Sequence, residues 1–324
     1  MAACRPPDHL AAGLSGYLRT LKEHTVSIFI TGASGFVGGT VGRRLLAAGH
    51  SVRGLIRDAS KAESLKTLGI EPVIGDLEDS DLLTREAQQS EGVIHAADSD
   101  HRPAIEALID GLRDSGKPLL HTSGSSVIGD DAQGNSVSEA IYDEDTPMIV
   151  EPVKQPRREI ELRVLAASAE GVRAVVICPS NIYGSGTGLN PRSVQIPFLV
   201  DQARKDGVVH IVGRGVNRWS NVHIEDVAEL YLLALEKAPA GAFYFIENGE
   251  ASFGEIGDAI ARRLNLAPVQ SWTVEEAAER WGELHAYYTF GSNSRVRAKR
   301  ARKELGWTPR HTSALTWIEE NMPL

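Results

Sequence analysis

The chain has 324 residues, long for one compact core, and its 42% hydrophobic and 24% charged content is that of an ordinary globular protein of one large unit or two lobes. A net charge of −9 argues against a nucleic-acid partner, because neutralising phosphates calls for a basic surface. Two cysteines, Cys4 and Cys178, give neither a disulfide framework nor metal-ligand spacing, and no run approaches the roughly 18 apolar residues of a membrane span.

Residues 1–25 carry Arg5, Asp8, Arg19, Lys22 and Glu23 without a compact apolar stretch. They are expected to form an N-terminal extension rather than a secretory signal, with the cytoplasm as the default compartment. Residues 26–30 are apolar and β-branched and predict a short buried strand. Glycines 32, 35 and 38 follow, and Val41, Leu45 and Leu46 then recur at helical spacing over 40–48. Strand, glycine turn and helix in that order suit a dinucleotide's pyrophosphate, with the helix's free N–H groups facing the anion. Ser34, Phe36 and Val37, between the glycines, are candidate cofactor contacts.

Residues 51–56 predict the second strand. The residue just past it faces the adenosine ribose in such folds, where a carboxylate takes the 2′-hydroxyl and an arginine the 2′-phosphate. Arg57 comes first, with Lys61 four residues on, which favours NADP(H); Asp58 keeps NAD(H) open. Strands are expected at 72–74, 92–97 and 117–123, with helices over 79–89 and 104–113 between them. His95 and His121 fall in buried-looking strands, as satisfied core histidines. The polar stretch 129–156 predicts a long loop over the strand ends, a usual wall for a ligand. A helix over 157–170 and a sixth strand over 172–178 follow, with Cys178 as a small buried hydrophobe. Residues 180–186 then make a glycine-rich turn at a strand's carboxyl end.

Beyond this point the alternation loosens. Helices are expected over 194–204 and 227–236, the second with Asp226 as its N-terminal charge, and strands at 208–212 and 242–246. Ser252 with Glu255 three residues on has capping-box spacing and opens a helix to Leu264. Residues 273–324 look helical, with the basic run 295–303 as a solvated helix face. Trp219, Tyr287, Tyr288 and Phe290 either line an apolar pocket or form the lobe's core. The fold class is therefore α/β, a doubly wound parallel sheet over 26–180. A smaller, mostly substrate-binding lobe over 181–324 is interleaved with the last sheet strands.

Five segments in order, the glycines after Phe29-Ile30-Thr31, Gly75-Asp76-Leu77, Val93-Ile94-His95-Ala96-Ala97, Pro179-Ser180-Asn181-Ile182-Tyr183-Gly184 and Val222-His223-Ile224-Glu225-Asp226-Val227-Ala228, resemble the extended short-chain dehydrogenase/reductases of the NAD(P)-dependent epimerase/dehydratase group, which have a Rossmann-type fold. The resemblance spans about residues 26–310. It implies that Asp76 and Leu77 contact the adenine ring and that Ala96, Ala97 and Ser123 line the cofactor groove. Pro179, Asn181 and Ile182 would lie beside the nicotinamide. The partner would be a small-molecule substrate, and a homodimer is left open.

Hydride-transferring members of that group usually carry a tyrosine followed four residues later by lysine; the hydroxyl moves the proton and the lysine tunes it. No tyrosine here is followed by lysine at that distance. Aligning Glu161 with the acidic residue after the motif puts Val153 or Lys154 at the tyrosine and Arg157 or Arg158 at the lysine. Gly124, between Ser123 and Ser125, stands at the usual upstream serine. Ser125, Lys154 and Tyr183 are thus the candidate proton donors of an NADP(H)-dependent carbonyl reductase or alcohol dehydrogenase. The alternatives are an NADP(H)-binding regulator without catalysis, and below both a nucleotide-sugar epimerase or dehydratase.

Overall fold

A computed structural model describes residues 27–324; the expected N-terminal extension, Cys4 included, lies outside them. Seven strands run parallel in one sheet: β1 (Ser27–Thr31), β2 (Ser51–Ile56), β3 (Glu71–Ile74), β4 (Gly92–His95), β5 (Pro118–Thr122), β6 (Arg173–Pro179) and the tenth strand of the chain, β10 (Ala242–Ile246). Their order is β10-β6-β5-β4-β1-β2-β3, so the direction of strand addition reverses between β1 and β4. That reversal opens a crevice at the carboxyl ends of the strands, the usual ligand position in such sheets.

The strands are apolar throughout because both faces are covered. Ile28, Ile30, Ile94, Leu120, Val175 and Ile177 point to one face, under α1 (Phe36–Ala47), α7 (Ile224–Lys237) and α10 (Lys299–Leu305). Phe29, Val93, Leu119, Val176 and Cys178 point to the other, under α3 (Ser80–Gln89), α4 (Arg102–Leu112) and α5 (Gln155–Ala166). The short α2 (Ala62–Thr67) leads into β3. Among the described residues no helix is long and apolar enough to cross a membrane.

A third core lies beside this sheet. It is formed by α6 (Gln195–Asp206), α8 (Phe253–Leu264), α9 (Val274–Trp281) and α11 (Ala314–Glu320) around two small sheets. One orders β11 (Glu250–Ser252), β9 (Arg218–His223) and β7 (Asn181–Tyr183); the other pairs β8 (Val208–Val212) with β12 (Ala267–Trp272). The glycine-rich turn expected at 180–186 thus contains a three-residue strand, pinned by its pairing to β9.

Three expectations need correction. The basic run is helical only from Lys299; before it, Arg295 is extended and bonds Glu250 and the Ser138 carbonyl. Lys299 and Arg300 hold Asp145, so these cations fasten the 129–156 loop rather than face solvent alone. Asp226 lies in the first turn of α7 as expected, and its carboxylate also accepts the backbone N–H groups of Arg310 and His311, anchoring the C-terminal segment. His121 is buried as expected, yet neither of its ring nitrogens has a hydrogen-bond partner. Finally, residues 273–324 hold four α-helices of eight residues or fewer, with a π-helical turn at Ala286–Phe290 and extended stretches among them.

Candidate functional site

The glycine turn is a case of backbone meeting backbone. Gly32 has φ +75°, and a Cβ there would stand 2.6 Å from the Ala96 carbonyl oxygen. A Cβ on Gly38 would stand 2.4 Å from the Gly32 carbonyl oxygen, so the helix reaches the strand end only because neither residue has a side chain. The start of α1 has Gly35 as N-cap, no side-chain cap and no acidic residue in its first turn. Its N–H groups and the positive end of its dipole are left for an anion.

Below that turn lies a cleft of about 520 Å³, lined by Gly32, Ser34, Gly35, Leu55, Ile56, Arg57, Asp76, Leu77, Glu78, Ala96, Ala97, Asp98 and His101. Eight of the expected cofactor contacts meet here, from Gly32 to Ala97 in chain order. Phe36, Val37 and Gly38 sit behind them in α1, where Phe36 packs against Gly186. Arg57 is exposed at the wall and forms no ion pair among the described residues. Asp58 instead turns away, its carboxylate accepting the Ser60 amide at 3.0 Å and approaching Lys61 at 3.7 Å. His101 and Glu78 were not singled out in the sequence. His101 caps α4 through Nδ1 and bonds Glu78 through Nε2 at 2.9 Å, closing one side of the cleft.

Toward β5 and β6 the walls become polar and buried. His95 bonds the Thr31 hydroxyl and the Asp98 carbonyl, both at 2.8 Å, and stacks on His121 at 5.5 Å. Burial holds the His95 imidazole neutral, down to about 4, and pushes His121 well below its ordinary value, with His95 as a further cause. Ser180 and Asn181 past β6 have side-chain polar atoms that are buried without a partner. These orphaned groups, the uncapped helix and the glycine cradle fit a bound dinucleotide. Ser123 has a different task, donating to the buried carboxylate of Glu161, which Arg158 also contacts at 2.6 Å.

The candidate proton donors separate in space. Tyr183 lies in the third core, between His223 at 5.2 Å and Trp317 at 6.0 Å, and burial raises its phenol above the ordinary range. Ser125 begins a single turn of tight helix and accepts from the Ser294 hydroxyl at 2.8 Å, which ties it to the C-terminal lobe. Lys154, 8% exposed, ends another tight turn just ahead of α5. Its ammonium sits 5.0 Å from the centre of the Tyr288 ring. Arg157, one helical turn on, is clamped by both Asp100 oxygens at 2.8 and 2.5 Å and reaches Ser126 at 2.9 Å. Asp100 is on the loop that also supplies Asp98 and His101 to the cleft. Burial, then the Arg157 charge, lower Lys154 to about 8, with Asp100 opposing. The guanidinium of Arg157 keeps its proton, its pKa raised by Asp100. The nearest atom to a Cβ built on Gly124 is an Arg157 nitrogen at 3.8 Å.

A family model described as the NAD dependent epimerase/dehydratase family matches residues 28–246. An uncharacterised protein of Schizosaccharomyces pombe is 35% identical over 303 residues, 89% of this chain and 97% of its own length. The 4-hydroxy-2-methyl-3-oxo-4-farnesyl-3,4-dihydroquinoline-1-oxide ketoreductase of Stigmatella aurantiaca is 27% identical, over 88% of this chain and 92% of its own. Among solved structures, dTDP-glucose 4,6-dehydratase of Streptomyces venezuelae with NAD bound superposes with a TM-score of 0.72. That likeness covers 91% of this chain and 98% of the other at 20% identity, and it shows the fold.

Proposed function

Because the chain belongs to the NAD-dependent epimerase/dehydratase family, we propose that it is an NADP(H)-dependent carbonyl reductase in which Lys154 replaces the usual tyrosine as proton donor. The observation that carries this is the burial of an ammonium between Arg157, Asp100 and Tyr288, beside the loop that lines the cofactor cleft. When bound, the nicotinamide supplies or accepts the hydride at the substrate carbon. Lys154 donates a proton to the carbonyl oxygen, and its lowered pKa makes that donation easy near neutral pH. Arg157 stays charged throughout; held by Asp100 and Ser126, it keeps Lys154 acidic and does not itself give up a proton. The 2′-phosphate preference rests on Arg57, exposed in the wall and in no ion pair among the described residues, while Asp58 is engaged by Ser60 and Lys61.

The test is NADPH oxidation with a panel of ketones and aldehydes, alongside NADPH affinity measured by fluorescence. In Lys154→Met, turnover should fall by about 10²–10⁴ with the affinity unchanged. Full activity in that variant contradicts the assignment of the donor. A wild-type chain that binds NADPH and oxidises it with no carbonyl contradicts the reductase itself and favours the regulator.

A further inference from the structure

The wall that faces Lys154 from the C-terminal lobe is apolar, aromatic and rigidly backed. Residues Ala286–Phe290 form a π-helical turn, an uncommon geometry that recurs at functional sites because it re-aims side chains. Behind it, Phe290 is buried against Trp281, Phe253 and Phe198, and Asn217 donates to the carbonyls of Phe290 and Ser292. In front, the Tyr288 ring covers the Lys154 ammonium. Phe198, one turn into α6, stacks on His285 at 4.6 Å with the planes 10° apart. The Phe198 N–H bonds the Val194 carbonyl, which places Val194 one helical turn before it on the same face.

Nine large hydrophobic side chains are exposed among the described residues, and three of them sit on these segments: Val153 beside Lys154, Val194 ahead of Phe198, and Leu284 ahead of His285. Residues 284–291 contain no lysine or arginine, and Arg192, close by in sequence to α6, is paired with both oxygens of Asp201. Such a wall offers dispersion contacts and ring faces, and little to neutralise a diphosphate.

Resting on the reductase reading, we propose that the substrate is a ketone or aldehyde whose non-reacting part is an aromatic ring or alkyl chain packed against Tyr288, which adjoins the Lys154 ammonium, and not a nucleotide-linked sugar. Tyr288 is the residue that sets this preference, and its ring, not its hydroxyl, makes the contact.

Two measurements on the full chain test it. The first is the ratio of kcat/KM for 2-acetylnaphthalene to that for acetaldehyde, with NADPH, in wild type, Tyr288→Phe and Tyr288→Ala. The ratio should favour the aryl ketone in wild type, persist in Tyr288→Phe and fall at least tenfold in Tyr288→Ala. The second is calorimetric binding of 2-acetylnaphthalene and of UDP-glucose to the Lys154→Met chain loaded with NADPH, where only the aryl ketone should bind. Turnover of acetaldehyde with a ratio that Tyr288→Ala leaves unmoved overturns the substrate class while leaving the reductase standing. Binding of UDP-glucose in preference to the aryl ketone overturns it too.

Discussion

At the α1 end of the cleft the chain meets its own backbone, with a virtual Cβ on Gly38 only 2.4 Å from the Gly32 carbonyl and one on Gly32 only 2.6 Å from that of Ala96. At the Lys154 end the contacts are between side chains. Ammonium, guanidinium, carboxylate and ring arrive from the turn before α5, from α5, from the loop after β4 and from the π-helical turn. The first kind of site admits almost no substitution, because its shape is the absence of side chains. In the second, one donor can take another's place provided the neighbours retune it, which is the role proposed above for Lys154.

The largest contrast should come from Gly38→Ala. With a carbonyl in the way, the helix must shift, and about 1–3 kcal/mol of stability should go with most of the NADPH affinity. Gly35→Ala, whose Cβ would be 3.1 Å from the nearest atom at an ordinary φ of −82°, should be milder in both melting temperature and titration. Equal damage from the two would mean that close approach is not what shapes the turn. Next in size is Arg57→Ala, which should weaken NADPH by about tenfold or more, the worth of a charge-assisted hydrogen bond, and leave NADH nearly unchanged. Uniform weakening of both would refute the 2′-phosphate contact.

A smaller effect is expected from Asp100→Asn. The Asp100 charge raises Lys154, so its loss should move the alkaline limb of the rate profile to lower pH. The smallest effect concerns His95 and His121, which are held neutral in the fold. As pH drops below about 6.5 the unfolded chain takes up protons that the folded chain refuses, at His95 until about 4 and at His121 to well below its ordinary value, so stability is lost as the pH falls through that range. His121→Leu should flatten this loss in urea titrations between about pH 7 and pH 5. An unchanged slope would show that other groups govern acid unfolding.

Legibility in the sequence divides along the same line. Strands β2, β8 and β10 and the Ser252–Glu255 capping box stand where the residue pattern put them, since local periodicity and cap chemistry determine them. Short strands β9, β11 and β12 escaped notice: β12 opens Ala267-Pro268, weak strand formers, and β9 is defined by its partners β7 and β11. The Thr273–Glu276 pair also forms a capping box, a signal present in the sequence but passed over. At the cofactor end, Gly32 and Ala96 were legible because glycine spacing encodes close approach. The association of Lys154 with Tyr288 was not, because 134 residues of folded chain separate them and no local rule links them.

The pH dependence of kcat for carbonyl reduction bears most directly on Lys154 as the acid. Only the ammonium form donates, so the rate should hold through neutrality and fall above about pH 8, where Lys154 loses its proton. A rate that stays level to pH 10 would contradict the account.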